Sequence, residues 1–238
     1  MTHLVCWYPD LETSKEIFYI LDKKSEYIEI QFPFSDPIAD GQVITQANEL
    51  SVKNWTTVEN CFSFIQEVTP QAQSKIIIMT YYNIILRYWV KKFIHRAKSL
   101  WIYAFIIPDI PNDESDGIFL IEECKRQNIH FIYIVSPNIW EDRLKEIWTL
   151  ATGFVYAISN NMTTWSVGKF WDSFVSYISR LKQHISIPIW VWFWVKTKDD
   201  IHSVCNISQF WIIWSELINI HKSNWIQWLE KYLDDVVS

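Results

Sequence analysis

The sequence predicts an α/β fold in which residues 1–238 form one domain, a closed (βα)8 barrel (TIM barrel). Eight apolar, β-rich stretches alternate with amphipathic helical stretches along the chain. Strands that are apolar throughout are typical of a parallel sheet buried on both faces. An open, doubly wound sheet fits less well, because it would more often have about five or six strands and a glycine-rich first turn.

The predicted strands are spread evenly along the chain. They cover residues 3–7, 27–32, 75–81, 102–108, 130–135, 154–159, 187–193 and 211–215. In the helix after the first strand, Leu11, Ile17 and Leu21 form an apolar face opposite Lys15 and Glu16. Two helices, 43–53 and 57–68, are predicted after the second strand, and one after the third strand ends at about residue 99. The helices after the fourth, fifth and seventh strands are predicted to begin at 113, about 141 and 198, and the helix after the sixth strand to end at about 183. A final helix is predicted over 224–236.

Charge and hydropathy exclude several classes of protein. The net charge is -6, and the basic residues are scattered among acids, which argues against a nucleic-acid-binding surface. The start, MTHLVCWYPDLE, lacks the basic segment and apolar core of a secretory signal. The longest apolar run, 187–195, is about half of the ~18 residues that a membrane span needs. We therefore expect a soluble, cytoplasmic protein.

The metal-ligating residue types form no recognisable motif. The four cysteines lie far apart without a CxxC pair, which favours buried free thiols over a zinc site. The six histidines show neither HxH nor HExxH spacing, and the chain has no P-loop or dinucleotide-binding motif. Neither a metal nor a cofactor of its own is expected in this chain.

The strongest chemical signal lies between residues 27 and 44. Glu29 stands in an apolar strand, and the following turn places Asp36 and Asp40 among Pro33 and Pro37. In a (βα)8 barrel, catalytic residues lie at the carboxyl ends of strands and in the loops that follow them. This stretch therefore predicts the active site of an enzyme.

The same stretch carries a resemblance to a known family. Residues 29–41 read EIQFPFSDPIADG and resemble the signature of the tryptophan synthase α subunit family. The segments YPDLETS, TYYN, IIPDIP and GFVYAISNNMTT also resemble that family, so the likeness runs from Leu4 to the end of the chain. The N-terminal helix of the family has no counterpart here.

The resemblance implies a carbon-carbon lyase that cleaves indole-3-glycerol phosphate to indole and glyceraldehyde 3-phosphate in tryptophan biosynthesis. Glu29 matches the family's catalytic glutamate, a general acid and base. Asp40 matches its catalytic aspartate, which would accept the indole N–H and stabilise the positive charge that develops there. A turn-capping role is the alternative for Asp40, and for Asp36 an Asx-type turn is at least as compatible as a catalytic role.

The resemblance also implies the residues that contact substrate. They are Tyr156, Thr164, Phe193 and Ser215, and the backbone of Trp165, Trp194 and Trp214 around the phosphate. Tyr156 is equally compatible with a merely buried tyrosine, and Thr164 would order its loop against Asp40. Asn160 and Met162 depart from the family pattern, which weakens any detailed mechanism for that loop.

The composition contains 4 glycines and 15 tryptophans, where ordinary usage gives roughly 17 glycines. Nine tryptophans stand where the family has glycine: Trp7, Trp55, Trp89, Trp101, Trp165, Trp192, Trp194, Trp211 and Trp214. Indole rings at the phosphate site would fill it, whereas glycine lets the backbone approach a ligand. Our hypothesis is that these are UGA codons that the organism reads as glycine. The alternatives are a real aromatic-rich surface, or drift in an inactive enzyme.

The resemblance implies a partner, the tryptophan synthase β subunit, which would carry pyridoxal phosphate in an αββα tetramer. Two other functions stay open. One is an unrelated phosphate-binding barrel lyase or isomerase, which would not account for residues 33–41. The other is a catalytically silent barrel that only binds and regulates the β subunit, and it is favoured if every tryptophan is genuine.

Overall fold

The structure is a computed structural model that describes residues 1–110, 114–158, 167–192, 197–208 and 210–237. Within these residues eight strands form one sheet, in which the strand order is the chain order. The strands are β1 (Thr2–Val5), β2 (Tyr27–Gln31), β3 (Lys75–Met79), β4 (Ala104–Ile106), β5 (His130–Val135), β6 (Val155–Ile158), β7 (Ile189–Trp192) and β8 (Phe210–Trp211). Parallel strands in this order, alternating with helices, confirm the predicted (βα)8 fold class.

The described residues also form ten α-helices. They are α1 (Leu11–Asp22), α2 (Gln42–Lys53), α3 (Val58–Val68), α4 (Tyr82–Tyr88), α5 (Val90–Ser99), α6 (Ser115–Arg126), α7 (Glu141–Leu150), α8 (Val167–His184), α9 (Lys198–Cys205) and α10 (Ser215–Val237). Side-chain caps fix the starts of several of them. Asp10 accepts a 2.9 Å hydrogen bond from the Thr13 N–H at the start of α1, and Thr57 and Asn60 form a capping box at α3.

The chain forms two compact units. The first unit contains residues 1–131 and 214–238, and in it α10 packs against α1 and α2. The second unit contains residues 132–213, where Trp190 stacks between Phe154 and Phe210 with ring centroids 3.8 and 4.7 Å apart. A single domain over residues 1–238 stays a prediction.

The register of the first strands sets the positions of the polar side chains. In β2, Ile28 and Ile30 lie on one face, so Glu29 and Gln31 share the other. The neighbouring strand β1 places His3 beside Glu29 in the parallel register. Three buried polar residues of two adjacent strands, His3, Glu29 and Gln31, thus come together in a sheet whose strands are mainly apolar.

The structure corrects several predicted element boundaries. The predicted helix up to residue 99 is two helices, because the positive φ of 72° at Trp89 interrupts the helical path. Ser215, predicted to end the eighth strand, begins α10, so the last helix starts well before the predicted residue 224. Cys205 is exposed, whereas the other three cysteines are buried free thiols as expected. The predicted helix start at residue 113 lies outside the described residues.

Candidate active site

Glu29 is fully buried in β2, at 0% exposure. Neither of its carboxyl oxygens has a hydrogen-bond partner among the described residues. Burial raises the pKa of Glu29 well above its usual value, and the negative charge of Asp40 raises it further, while the nearby indole N–H of Trp214 lowers it. Glu29 therefore holds its proton to a higher pH than an ordinary glutamate and can donate it to a bound group.

Asp40 stands at the end of the loop between β2 and α2 and is partly buried. Its Oδ2 accepts hydrogen bonds from the side-chain amides of Gln31, at 2.6 Å, and Asn48, at 3.3 Å. Its Oδ1 is buried and accepts no hydrogen bond within the described residues. Burial raises the pKa of Asp40 to about 6, although the Gln31 amide and the Tyr81 hydroxyl oppose that rise. At neutral pH Asp40 is thus mainly ionised, with one oxygen available to a donor.

A buried hydrogen-bond chain orients Gln31 toward Asp40. The Oε1 of Gln31 lies 2.9 Å from the Nε2 of His3, so His3 donates from Nε2 when Gln31 donates its amide N–H to Asp40. Burial lowers the pKa of His3 to about 4, so the ring is neutral at neutral pH. The neutral ring fixes the amide orientation without placing a second charge near Asp40.

The loop that carries Asp40 is held from two sides. Asn48 in α2 accepts a 3.1 Å hydrogen bond from the Phe34 N–H, and the Tyr81 hydroxyl accepts one of 3.1 Å from the Ala39 N–H. The rings of Phe34 and Tyr81 stack with centroids 4.9 Å apart. Asp40 is therefore positioned by a well-anchored loop, as catalysis by a fixed charge requires.

Asp36, the other acid of this loop, has a different environment. It is exposed and accepts a 2.5 Å hydrogen bond from the Ser35 hydroxyl, and its backbone carbonyl accepts one from the Ile38 N–H. These contacts are those of a local turn. They favour the turn role that the sequence left open for Asp36.

Trp214 lies next to this carboxylate pair. Its ring is buried, and the ring centroid is 4.7 Å from that of His3. Its indole N–H favours the charged form of Glu29 and so lowers the pKa of that carboxyl. Ser215, the next residue, begins the long helix α10. The first N–H groups of a helix attract anions, which suits the phosphate contact predicted for Ser215.

The predicted site residues fall into three groups. The structure brings Glu29, Asp40 and Trp214 together in the first unit, with Ser215 following Trp214 in the chain. Tyr156 is buried in β6, in the second unit. Thr164, Trp165, Phe193 and Trp194 lie outside the described residues.

Sequence reasoning missed the residues that position Asp40: His3, Gln31, Asn48 and Tyr81. One signal was present for Gln31, since it stands two residues after Glu29 and shares its face of the strand. The contact between His3 and Gln31 depends on the register between two strands and leaves no mark in local sequence.

Other candidate sites are weaker. A surface cavity of about 360 Å³ lies beside the same loop, lined by residues such as Phe34, Val52 and Tyr88, but it includes neither Glu29 nor Asp40. Within the described ranges, no group of three His, Cys, Asp or Glu side chains is arranged to hold a metal ion. Across the same ranges, every helix is too short or too polar to cross a bilayer.

Comparisons with known proteins identify the family. The family model described as "Tryptophan synthase alpha chain" matches residues 1–234. The chain is 30% identical over 237 residues to the tryptophan synthase alpha chain of Desulforapulum autotrophicum, which covers 99% of this chain and 93% of that relative. It is 32% identical over 225 residues to that of Desulfotalea psychrophila, which covers 94% of this chain and 88% of the relative.

Solved structures agree with these sequence relatives. Tryptophan synthase subunit alpha from Campylobacter jejuni has a TM-score of 0.89 at 27% identity, covering 99% of this chain and 94% of that one. A chain of the tryptophan synthase complex from Pyrococcus furiosus has a TM-score of 0.88 at 25% identity, covering 99% and 96%. The similarity is therefore not limited to the short segments that resemble the family in sequence, but spans nearly the whole chain. The chain is a member of the tryptophan synthase alpha chain family.

Proposed function

We propose that this chain cleaves indole-3-glycerol phosphate to indole and glyceraldehyde 3-phosphate, with Glu29 and Asp40 as its catalytic residues. One observation carries the proposal: a fully buried Glu29 carboxyl whose oxygens have no hydrogen-bond partner in the described part of the chain, beside a second, oriented carboxylate. Buried carboxyls in proteins are normally hydrogen-bonded, and an exception points to a missing reaction partner.

Glu29 acts on both protons of the reaction. Its raised pKa lets it donate a proton to C3 of the indole ring. The resulting carboxylate then takes the proton from the hydroxyl on the glycerol carbon bonded to C3. As that hydroxyl becomes a carbonyl, the carbon-carbon bond breaks and its electron pair returns to the ring, so protons and electrons balance.

Asp40 stabilises the charge that forms between these two transfers. Protonation of C3 leaves positive charge on the indole nitrogen, and a fixed carboxylate that accepts the N–H lowers the energy of this state. The Oδ1 atom suits this role, because Oδ2 is already engaged by Gln31 and Asn48. With a pKa of about 6, Asp40 is mainly charged at neutral pH, while burial raises the pKa of Glu29 well above its usual value and so favours its protonated, proton-donating form.

The phosphate would bind at the start of α10, to the Ser215 hydroxyl and the backbone N–H groups near residue 214. The partial positive charge of a helix N-terminus supports this placement. Tyr156 and Thr164 remain the proposed substrate and loop contacts. Phe193 remains a further proposed substrate contact, and the backbone at Trp165 and Trp194 remains the proposed remainder of the phosphate site.

The partner that we propose is the tryptophan synthase β subunit, in an αββα tetramer in the cytoplasm. The Pyrococcus furiosus relative is a chain of a tryptophan synthase complex, which supports such an assembly. Pyridoxal phosphate would then belong to the partner, and this chain would use no cofactor. The catalytically silent alternative is not favoured, since the relatives named above are tryptophan synthase alpha chains.

The test is release of indole from indole-3-glycerol phosphate by the protein purified from its native cell. Glu29→Gln keeps the shape but removes the proton donor, so we expect kcat to fall by ~10²–10⁴-fold. Glu26→Gln, which changes an exposed glutamate just before the same strand, serves as the matched control and should keep full activity. Absence of cleavage by the native protein, or full activity in Glu29→Gln, contradicts the proposal.

A further inference from the structure

Four tryptophans have a backbone conformation that tryptophan rarely adopts. The φ angles are 61° at Trp7, 60° at Trp55, 72° at Trp89 and 60° at Trp101. Among the described residues other than glycine, Asn128 is the one remaining residue with positive φ. In this region the Cβ atom crowds the backbone, so a bulky residue there is an outlier while glycine enters freely.

Two of the four positions have the hydrogen bonds of a Schellman motif. After α2, the Trp55 N–H donates to the Val52 carbonyl and the Thr56 N–H to the Ser51 carbonyl. After α5, the Trp101 N–H donates to Lys98 and the Ile102 N–H to Ala97. The left-handed residue of this motif is usually glycine, and sometimes asparagine.

The end of α6 provides an internal comparison. Its left-handed residue is Asn128, with φ of 53°, and the N–H groups of Asn128 and Ile129 donate to Lys125 and Cys124 in the same pattern. Asparagine tolerates this conformation better than other residues with a Cβ. The chain thus uses a suitable residue at one such helix end and tryptophan at two others.

The other two positions also suit glycine. Trp89, at φ 72° and ψ 111°, joins α4 to α5 and accepts a hydrogen bond from the Phe93 N–H at its carbonyl. Trp7 follows β1, and its indole N–H is buried without a hydrogen-bond partner in the described residues. Within the described part of the chain, neither side chain has a polar contact that would hold the backbone in this conformation.

Burial does not compensate for the strain at three of the four positions. The side chains of Trp55, Trp89 and Trp101 are 86%, 76% and 83% exposed. A tryptophan ring is normally largely buried, because it gains from leaving water. These rings therefore gain little from the fold and occupy the backbone positions that least accept a side chain.

We infer that residues 7, 55, 89 and 101 are glycine in the protein that the cell makes, each encoded by a UGA codon that is read as glycine. This inference is carried by the backbone angles and does not depend on the proposed reaction. It accounts at once for the left-handed angles and the exposed rings, and it raises the number of glycines from 4 to 8, toward the roughly 17 of ordinary usage.

The first test is peptide mass determination on the protein purified from its native cell. We expect the peptides that contain residues 7, 55, 89 and 101 to have the masses given by glycine. Tryptophan mass at any of the four positions overturns the inference there, whether or not the protein cleaves indole-3-glycerol phosphate.

The second test compares glycine with alanine at the same position by thermal unfolding. Because alanine keeps the Cβ atom, Trp101→Gly should melt ~2–4 °C higher than Trp101→Ala. Trp148, inside α7, is the matched control, and there the order should reverse, since glycine weakens a helix interior. Equal melting temperatures for the two variants at 101 contradict the strain on which the inference rests.

Discussion

Two regions of the molecule contain residues that lower the stability of the fold. One is β2 with the loop that follows it, and the other is the C-terminal ends of α2 and α5. In β2 the cost is that of a buried carboxyl, Glu29, with Asp40 beside it. At the helix ends it is that of a left-handed tryptophan, about 1–2 kcal/mol for each position. Four such residues would cost ~4–8 kcal/mol, against a total stability of ~5–15 kcal/mol for a typical protein.

The two regions differ in what surrounds the costly residue. Around Glu29 and Asp40, the structure supplies Gln31, Asn48 and His3 in fixed positions, as a reaction requires. Around Trp55 and Trp101 there is mostly solvent. An energetically costly residue that is surrounded by polar side chains in fixed positions indicates a functional site. A costly residue that is surrounded by solvent has no such explanation, and it raises the question of whether the cell places that residue there.

The largest expected effect in the first region is that of Asp40→Asn. Removing the charge that we propose to face the indole nitrogen should reduce kcat by ~10²–10³-fold. Asp36→Asn, an exposed acid in the same loop, is the matched control for cleavage by the isolated chain and should retain its rate. Rates of indole release for the two variants decide whether Asp40 is catalytic or a turn-capping residue.

The same variant should be more stable than the parent at neutral pH. Folding raises the pKa of Asp40 from 3.8 to about 6, so the folded state favours the protonated carboxyl. The stability that this provides is present below pH ~4 and is lost as the pH rises through ~6. An amide at this position does not ionise, so Asp40→Asn should gain on the order of 1–3 kcal/mol at pH 7 and nothing at pH 4. If Asp40→Asn and the parent have equal denaturation midpoints at pH 7 as well as at pH 4, burial of the charged Asp40 does not destabilise the fold.

The second-largest expected effect is on substrate binding, at Trp214. This residue belongs to both sides of the comparison, because it lies beside Glu29 and is one of the nine tryptophans that stand where the family has glycine. Displacing a buried ring of this size costs ~1.5–3 kcal/mol, so Trp214→Gly should bind indole-3-glycerol phosphate ~10–100-fold more tightly than the chain with tryptophan. Titration calorimetry measures this difference directly. Trp228→Gly, in the exposed part of α10, should leave the affinity unchanged. Equal affinities for Trp214→Gly and the parent would mean that the indole does not obstruct the site.

A smaller effect is expected at Gln31, which positions Asp40. Gln31→Leu removes the 2.6 Å hydrogen bond that stabilises the charged form of Asp40. Since that bond offsets part of the rise in pKa that burial causes, the pKa of Asp40 should rise above about 6 in the variant. The acid limb of the pH profile of kcat/KM should move up by about one unit, with a loss of roughly fivefold near pH 6 and much less at pH 8. Gln46→Leu, at an exposed position of α2, is the control. A uniform loss at all pH values would indicate a merely structural role for Gln31.

The sequence predicted the parts of the molecule that local patterns determine. The bounds of β5 and the start of α7 agree with the prediction, because a β-branched run and an acidic first turn mark them. The strand that leads into a rigid turn predicted where the candidate site lies, and the family resemblance singled out Glu29 and Asp40 within it. Their supporting contacts were not predicted, since His3, Gln31 and Tyr81 lie on three different strands or strand ends.

Two boundary errors have physical causes that can be named. The break between α4 and α5 depends on one backbone angle at residue 89, and tryptophan gives no sign of it, whereas glycine would have suggested a helix end. The early start of α10 did leave a signal, because Ser215 followed by Glu216 is typical of a helix start. It was missed because the apolar residues before it suggested a longer strand.

The smallest predicted effect tests the helix ends from the opposite direction. Asn128 occupies the same motif as Trp55 and Trp101, so Asn128→Trp should destabilise the protein by ~1–2 kcal/mol, and Asn128→Gly should not. Urea denaturation of both variants measures the difference, with unchanged m-values as the check that only stability has changed. If Asn128→Trp is as stable as the parent, a left-handed tryptophan is cheap in this fold, and the contrast between the two regions disappears. If it is destabilised, the exposed rings at residues 55 and 101 have the same cost, and glycine at those positions removes it.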